Sequence, residues 1–130
     1  MKPFSQEWIS ALAEKLKNDS DFQEKAKGFD SRFQFSILQD PKANVKEAFA
    51  CGINLPQSDE TWIEKKKDEE VDINLEGKYS DFVEVVKGKA KLELYLTAGK
   101  IRLKKGDMGK LLSYLGGVNR FIEVAKSISI

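Results

Sequence analysis

The chain has 130 residues, 41% of them hydrophobic and 33% charged, with 22 basic against 21 acidic side chains and a net charge of +1. These values fit one globular domain over residues 1–130 with a proper core, and they exclude a disordered chain or one recruited to nucleic acid by a long-range field. The absence of histidine removes Ser-His-Asp and Cys-His catalysis along with any His-based metal site.

The first helix starts at Ser5 as N-cap, with Phe4 placed to staple against Ile9. Trp8, Ile9, Leu12, Ala13 and Leu16 then form one continuous apolar face. A second short helix is predicted from the capping box Ser20-Asp21-Phe22-Gln23 to Gly28. From Phe29 the period changes to two. Phe29, Ser31, Phe33, Phe35 and Ile37 alternate with polar residues and predict a half-buried strand, closed by the Asp40-Pro41 turn. Val45, Glu47, Phe49, Cys51 and Ile53 give the next alternation, ended by Pro56. Trp62 and Ile63 enter a weakly apolar strand, and the charge run Glu64 to Glu70 reads as a solvated strand edge and loop. Val71, Ile73 and Leu75 make a third clear strand.

Ser80-Asp81-Phe82-Val83 reads as a capped helix start, with Phe82, Val83 and Val86 inward and a stop at Gly88-Lys89. Asp107 caps a further helix carrying Met108, Leu111, Leu112 and Leu115, broken by Gly116-Gly117. A last helix over 118–127 turns Val118, Phe121, Ile122 and Ala125 inward. Between them, Lys91 to Leu96 alternates, so its period alone describes a strand, with Ala98-Gly99 as a hairpin turn. Flanking glycines at 88 and 99 and the Leu, Glu and Lys content favour a helix instead.

Little here carries chemistry. Cys51 stands alone on an apolar strand face, fits a reducing compartment and reads as packing. Gly106-Asp107-Met108-Gly109 matches neither a dinucleotide fingerprint nor a P-loop and is read as a strand-to-helix turn. Carboxylate pairs such as Asp68/Glu70 lack an apolar frame that would raise a pKa. No catalytic residue, metal or cofactor is expected. The N-terminus lacks the apolar stretch of a secretory signal, and a cytoplasmic address is expected.

One ordered run gathers these elements. The strand Val71 to Leu75, the Ser80 helix, the Gly88-Lys89 and Gly99-Lys100 pairs, the alternating Ile101 to Lys104 and the Gly-Asp-Met-Gly-x-Leu from Gly106 resemble the C-terminal half of the sterol carrier protein 2 family. The N-terminal half resembles it in outline. The resemblance implies an α/β (α+β) fold: a single-layer, antiparallel, twisted sheet of about five strands with helices from both chain ends covering one face. It makes Lys91 to Leu96 a short helix. It implies non-covalent binding, with transfer as a further expectation, of one long-chain lipid: a fatty acid, a fatty acyl-CoA or a sterol-like molecule. The partners expected are that lipid and a transient membrane or enzyme contact, with no nucleic acid and a monomeric protein. Animal members often end in a peroxisomal tripeptide; this chain ends Ile128-Ser129-Ile130, which is not that signal.

On periodicity alone the apolar stripes read as filled core. The resemblance turns part of them into the wall of an apolar tunnel. That wall is expected to include Phe33 and Phe35 on the first strand, Phe82 and Val86 on the Ser80 helix, and Leu92 and Leu96 between the Gly-Lys pairs. Ile101 and Leu103 would follow, then Met108, Leu111, Leu112 and Leu115, and finally Phe121 and Ile122 on a last helix expected to act as a lid. Two other functions stay open: an accessory or scaffold module in lipid or quinone biosynthesis, and an enzyme using Asp, Glu, Lys or Tyr on a lipid-like substrate.

Overall fold

Alternating strands and 3.6-period helices assemble around one sheet in the structure, a computed structural model describing residues 1–128. Ser129 and Ile130, the end of the C-terminal tripeptide, lie outside the described residues. Helices α1 (Gln6–Lys17) and α2 (Ser20–Lys25) precede strands β1 (Ser31–Leu38), β2 (Phe49–Leu55), β3 (Thr61–Trp62) and β4 (Ile73–Lys78). Then come α3 (Tyr79–Val86), α4 (Leu92–Ala98), β5 (Ile101–Lys105), α5 (Met108–Ser113) and α6 (Leu115–Lys126). The strand order is β3-β2-β1-β4-β5.

The expected sheet of five strands is present, but it is mixed rather than antiparallel. Three pairings are antiparallel, whereas β1 and β4 run parallel, with Phe33 opposite Ile73 and Phe35 opposite Leu75. The cause is the connection. After β3 the chain does not fold back as a hairpin; residues 63–72 cross the sheet and deliver β4 to the far side of β1. The charge run is therefore a strap rather than a free edge. Gln34, fully buried in β1, accepts from Trp62 Nε1 and from the Lys66 amide, both at 2.9 Å, and donates to the Lys66 carbonyl at 3.1 Å. Gly52 lies beneath the Trp62 indole so closely that a Cβ there would stand 2.1 Å from Cε2. Beside them Ser36 donates to Asn74 Oδ1 at 2.7 Å. Gln34 and Ser36 of β1 thus join a hydrogen-bonded network on one side of the sheet, while Phe33, Phe35 and Ile37 join the main core on the other.

Several local expectations shift by a residue or two. Ser5 caps α1, accepting from the Trp8 amide, and the five apolar positions of its stripe are buried. Phe4 packs its ring on Trp8, Phe35 and Phe82. The cap of α2 is Asp19, not Ser20: its carboxylate accepts from the Phe22 amide at 2.8 Å, and Ser20 is the first helical residue. Ser80 does not cap α3; its hydroxyl and amide both donate to Asp40 Oδ2. β2 starts at Phe49, leaving Val45 in an isolated bridge with Asp40. Lys91 to Leu96 is helical as expected, because Gly99 ends α4 in the left-handed conformation (φ +77°) and the segment packs on β5 instead of pairing with it. Asp107 caps α5 through the Gly109 amide. The break before the last helix falls at Tyr114 rather than at Gly116-Gly117, which form the first turn of α6.

Candidate functional site

The layer between sheet and helices is built from short-range spacings that converge. On β1 the period of two aims Phe33 and Phe35 at the helices. On α6 Val118, Phe121 and Ile122 fall at i, i+3 and i+4, as do Phe82, Val85 and Val86 on α3, while Phe22 and Ala26 lie one turn apart along α2 and its end. Phe121 is the central ring, 5.9 Å from Phe35 and 6.4 Å from both Phe33 and Phe22 between centroids.

These side chains do not fill the space completely. Together with Phe29, Leu55, Leu92, Tyr114 and Gly117 they enclose a cavity of about 30 Å³. Its exposed lining is entirely apolar. A space of that size has room for a water or two but offers it no partners, so the chemistry of the site favours an apolar guest. Tyr114 is the one titratable residue of the lining. Charge sits at the periphery. Lys110 Nζ lies 5.6 Å from the Phe29 ring centroid. Tyr95 Oη donates to Glu84, and that hydrogen bond pushes the phenol up to about 12. Cys51 is buried in the core away from the cavity, and burial pushes its thiol up, which leaves it unreactive. Among the described residues no cluster of acidic or sulfur ligands could hold a metal ion.

The structure brings together only part of the wall expected from sequence. Phe33, Phe35, Phe82, Val86, Leu92, Phe121 and Ile122 border the cavity. Ile101 and Leu111 are buried in the surrounding core, with Leu96 and Leu103 half-buried against it. Leu115 is half-buried at the start of α6, and Met108 and Leu112 face solvent. The expected wall did not include Phe22, Ala26, Phe29, Leu55, Val85, Tyr114, Gly117 or Val118, which also border the cavity. The signal for the first two was present in the i, i+4 spacing on a helix that had been read only for its caps.

The outer helix is held at both levels. Gly117 packs so closely on α2 that a Cβ would stand 3.2 Å from the Cα and Cβ of Ala26. Arg120 grips Asp19 with two nitrogens, Nη2 at 2.6 Å and Nε at 3.2 Å. That guanidinium, with the Phe22 amide, holds the Asp19 carboxyl below its ordinary value. The ion pair thereby ties the cap of α2 to the helix over the cavity.

Comparison with known proteins places this arrangement. The sequence profile of the SCP-2 sterol transfer family matches residues 9–116. By sequence alone, no curated protein matches the chain. Among solved structures, a crystal structure of sterol carrier protein 2 superposes with a TM-score of 0.87 at 20% identity, covering 98% of this chain and 100% of that one. A conserved hypothetical protein from Thermus thermophilus, described as possibly a sterol carrier protein, gives 0.82 at 22% identity, over 97% of this chain and 89% of the other. The solution structure of palmitated SCP2L2 from Aedes aegypti gives 0.61 at 16% identity, over 88% and 93%.

Proposed function

The chain belongs to the SCP-2 sterol transfer family, and from that premise we propose that it binds one long-chain lipid, without catalysis, in the cavity between sheet and helices. The observation that carries this proposal is the wholly apolar lining at the one place where α2, α3 and α6 meet β1. Among the lining residues Tyr114 is the one with an ionisable side chain, and no carboxylate, lysine or thiol stands beside it there, which supports binding over chemistry. A fatty acyl chain is the favoured guest: the Aedes aegypti relative is described as palmitated, and aromatic and aliphatic walls suit a flexible alkyl chain. The cavity of about 30 Å³ is far smaller than such a chain, so binding requires α6 to move outward. Burying about 16 methylenes at ~0.8 kcal/mol each yields ~13 kcal/mol gross. Lost ligand freedom and the displaced helix offset several of these, which leaves micromolar affinity, about −8 kcal/mol.

Native mass spectrometry of the purified protein tests the proposal directly, followed by titration of the delipidated protein with a fluorescent fatty acid. The expected result is a co-purifying lipid mass or saturable one-to-one binding. Absence of both a trapped mass and saturable binding would overturn it.

A further inference from the structure

The apolar cavity has one polar edge. Five rings carry a cation among the described residues, those of Phe29, Phe49, Trp62, Tyr79 and Tyr95. Only Phe29 of these lines the cavity, and its cation is Lys110, with Nζ 5.6 Å from the ring centroid. Tyr114, also in the lining, packs on the same ring at 5.1 Å between centroids. The two residues stand at i, i+4, and the Tyr114 amide donates to the Lys110 carbonyl at 3.2 Å, so one helical turn brings both side chains to Phe29. The Tyr114 ring is wall, but the exposed lining is wholly apolar, so its hydroxyl lies outside that lining. It stands at Gly28, where a Cβ would be 3.0 Å away. Both side chains are half-buried, and among the described residues neither polar end has a partner. Lys110 is in no ion pair, and of the three tyrosine hydroxyls only that of Tyr95 is hydrogen-bonded. Other lysines near the lining are placed differently: Lys25 pairs with Asp21, and Lys126 lays its stem against Gly88 beyond the end of α3.

We propose that this edge receives the head of the bound lipid and selects a carboxylate, with Lys110 Nζ as counter-ion and the Tyr114 hydroxyl as hydrogen-bond donor. Such a head-group site presupposes that the cavity holds a lipid, as proposed above, and narrows that lipid to an unesterified fatty acid. A half-buried ammonium without a counter-ion gains from an anion delivered where water is scarce, and its hydrogen bond to that anion is charge-assisted. A carboxylate lodged elsewhere in the lining would lie unpaired among apolar side chains, at a cost that expels it. An ester or an alcohol brings no charge to Lys110, so only the free acid uses both groups in full. The place also suits entry. Tyr114 is the residue at which α5 ends and α6 begins, so the outward movement of α6 that admits a chain opens beside it.

Displacement of Nile red, a neutral probe, from the delipidated full chain by palmitate and by methyl palmitate tests it. The two share one alkyl chain and differ in the head, which in palmitate is ionised at about pH 8, well above the ordinary carboxyl value of about 4. The readout is the ratio of their affinities. Wild type should prefer palmitate about thirtyfold, and Lys110→Gln should lower that ratio about tenfold, the worth of one charge-assisted hydrogen bond. Lys110→Arg should restore it. Tyr114→Phe, which keeps the ring in the wall, should lower it about threefold. Lys126→Gln should leave it unchanged, and circular dichroism should show every variant folded. Equal affinities of wild type for the two ligands would overturn the head-group site, as would a ratio undiminished in either Lys110→Gln or Tyr114→Phe. A ratio that falls in Lys126→Gln instead would also overturn it, by moving the head to the end of α3. Saturable and equal binding of both ligands removes only this site; failure of both to bind removes the cavity reading and this site with it.

Discussion

Replacing Phe121 with alanine tests the cavity at its centre. The ring is 5% exposed and stands against Phe22, Phe33 and Phe35, so its removal loses both buried area and three aromatic neighbours. Withdrawing the ring from apolar surroundings costs about 2 kcal/mol, and a residual void on the order of 100 Å³ adds about 2.4 kcal/mol at ~24 cal/mol per Å³. The sum, about 4 kcal/mol, is a large share of the roughly 5–15 kcal/mol typical of a domain. Ligand should then reverse part of the loss. In the wild-type protein a lipid must displace Phe121 before it fits; in Phe121→Ala the void is already open and apolar, and an alkyl chain fills it. Urea unfolding with and without saturating palmitate separates these effects through the ligand-linked stabilisation. We expect a lower midpoint with unchanged slope for the free variant, and a palmitate-induced gain larger than in wild type by about 1 kcal/mol or more. Equal gains in the two proteins would mean that the lipid does not occupy the space beside Phe121. A free-variant loss below about 1 kcal/mol would mean that the ring is not packed as described.

The two glycines of α6 should respond oppositely. Gly117→Val meets Ala26 and Lys25 and should cost about 1–3 kcal/mol, whereas Gly116→Ala meets open space and should gain up to about 1 kcal/mol of helix propensity, both read from thermal midpoints. A hinge at this pair would instead make both substitutions alter ligand exchange alike. Asp19→Ala should cost about 1 kcal/mol through loss of the α2 cap. Because the folded-state pKa of Asp19 is depressed, its contribution is present above the unfolded value of about 3.9 and fades as pH falls through the lower folded value. The difference between wild type and Asp19→Ala should therefore be full at about pH 7 and shrink below about pH 4; a difference that grows on acidification would refute the assignment. Gly52→Ala drives a Cβ into the Trp62 indole and should cost about 3 kcal/mol, with a shift in tryptophan fluorescence as the strap lifts from Gln34. Unchanged stability and emission would show that the strap does not lie over Gly52.

Much of the secondary structure was legible because its causes are local. A Ser or Asp oxygen within reach of the next turn's amides fixes a helix start, as at Ser5 and Asp107, and the change of period from 3.6 to 2 at Phe29 marks the passage from helix to strand. The expected caps at Ser20 and Ser80 fail for two different reasons, one local and one tertiary. At Ser20 a second acceptor, Asp19, stands one residue earlier; at Ser80 the partner is Asp40, forty residues away, which short-range sequence does not reveal. At Lys91 to Leu96 period two and helix-stop glycines disagreed. The helix forms there, with Gly99 at positive φ as its C-cap and the segment packed on β5.

Sequence by itself determined which residues are apolar, which face of each element they share, and the order of elements that marks the SCP-2 sterol transfer family. It did not determine which elements become neighbours. Alternation tells a strand which side is inward but not which strand lies beside it, so the parallel pairing of β1 with β4 depended on a crossover whose anchor, Gln34, reads in sequence only as one more outward polar residue. Nor did sequence separate wall from filling, since Phe121 and Ile101 obey the same hydrophobic rule; the unfilled space beside Phe121 arises from the distance between packed helices and sheet. Local propensity and capping act within a few residues of the chain, whereas a cavity and its surrounding surface are properties of residues brought together from separate helices and strands. Only tertiary packing supplies those distances.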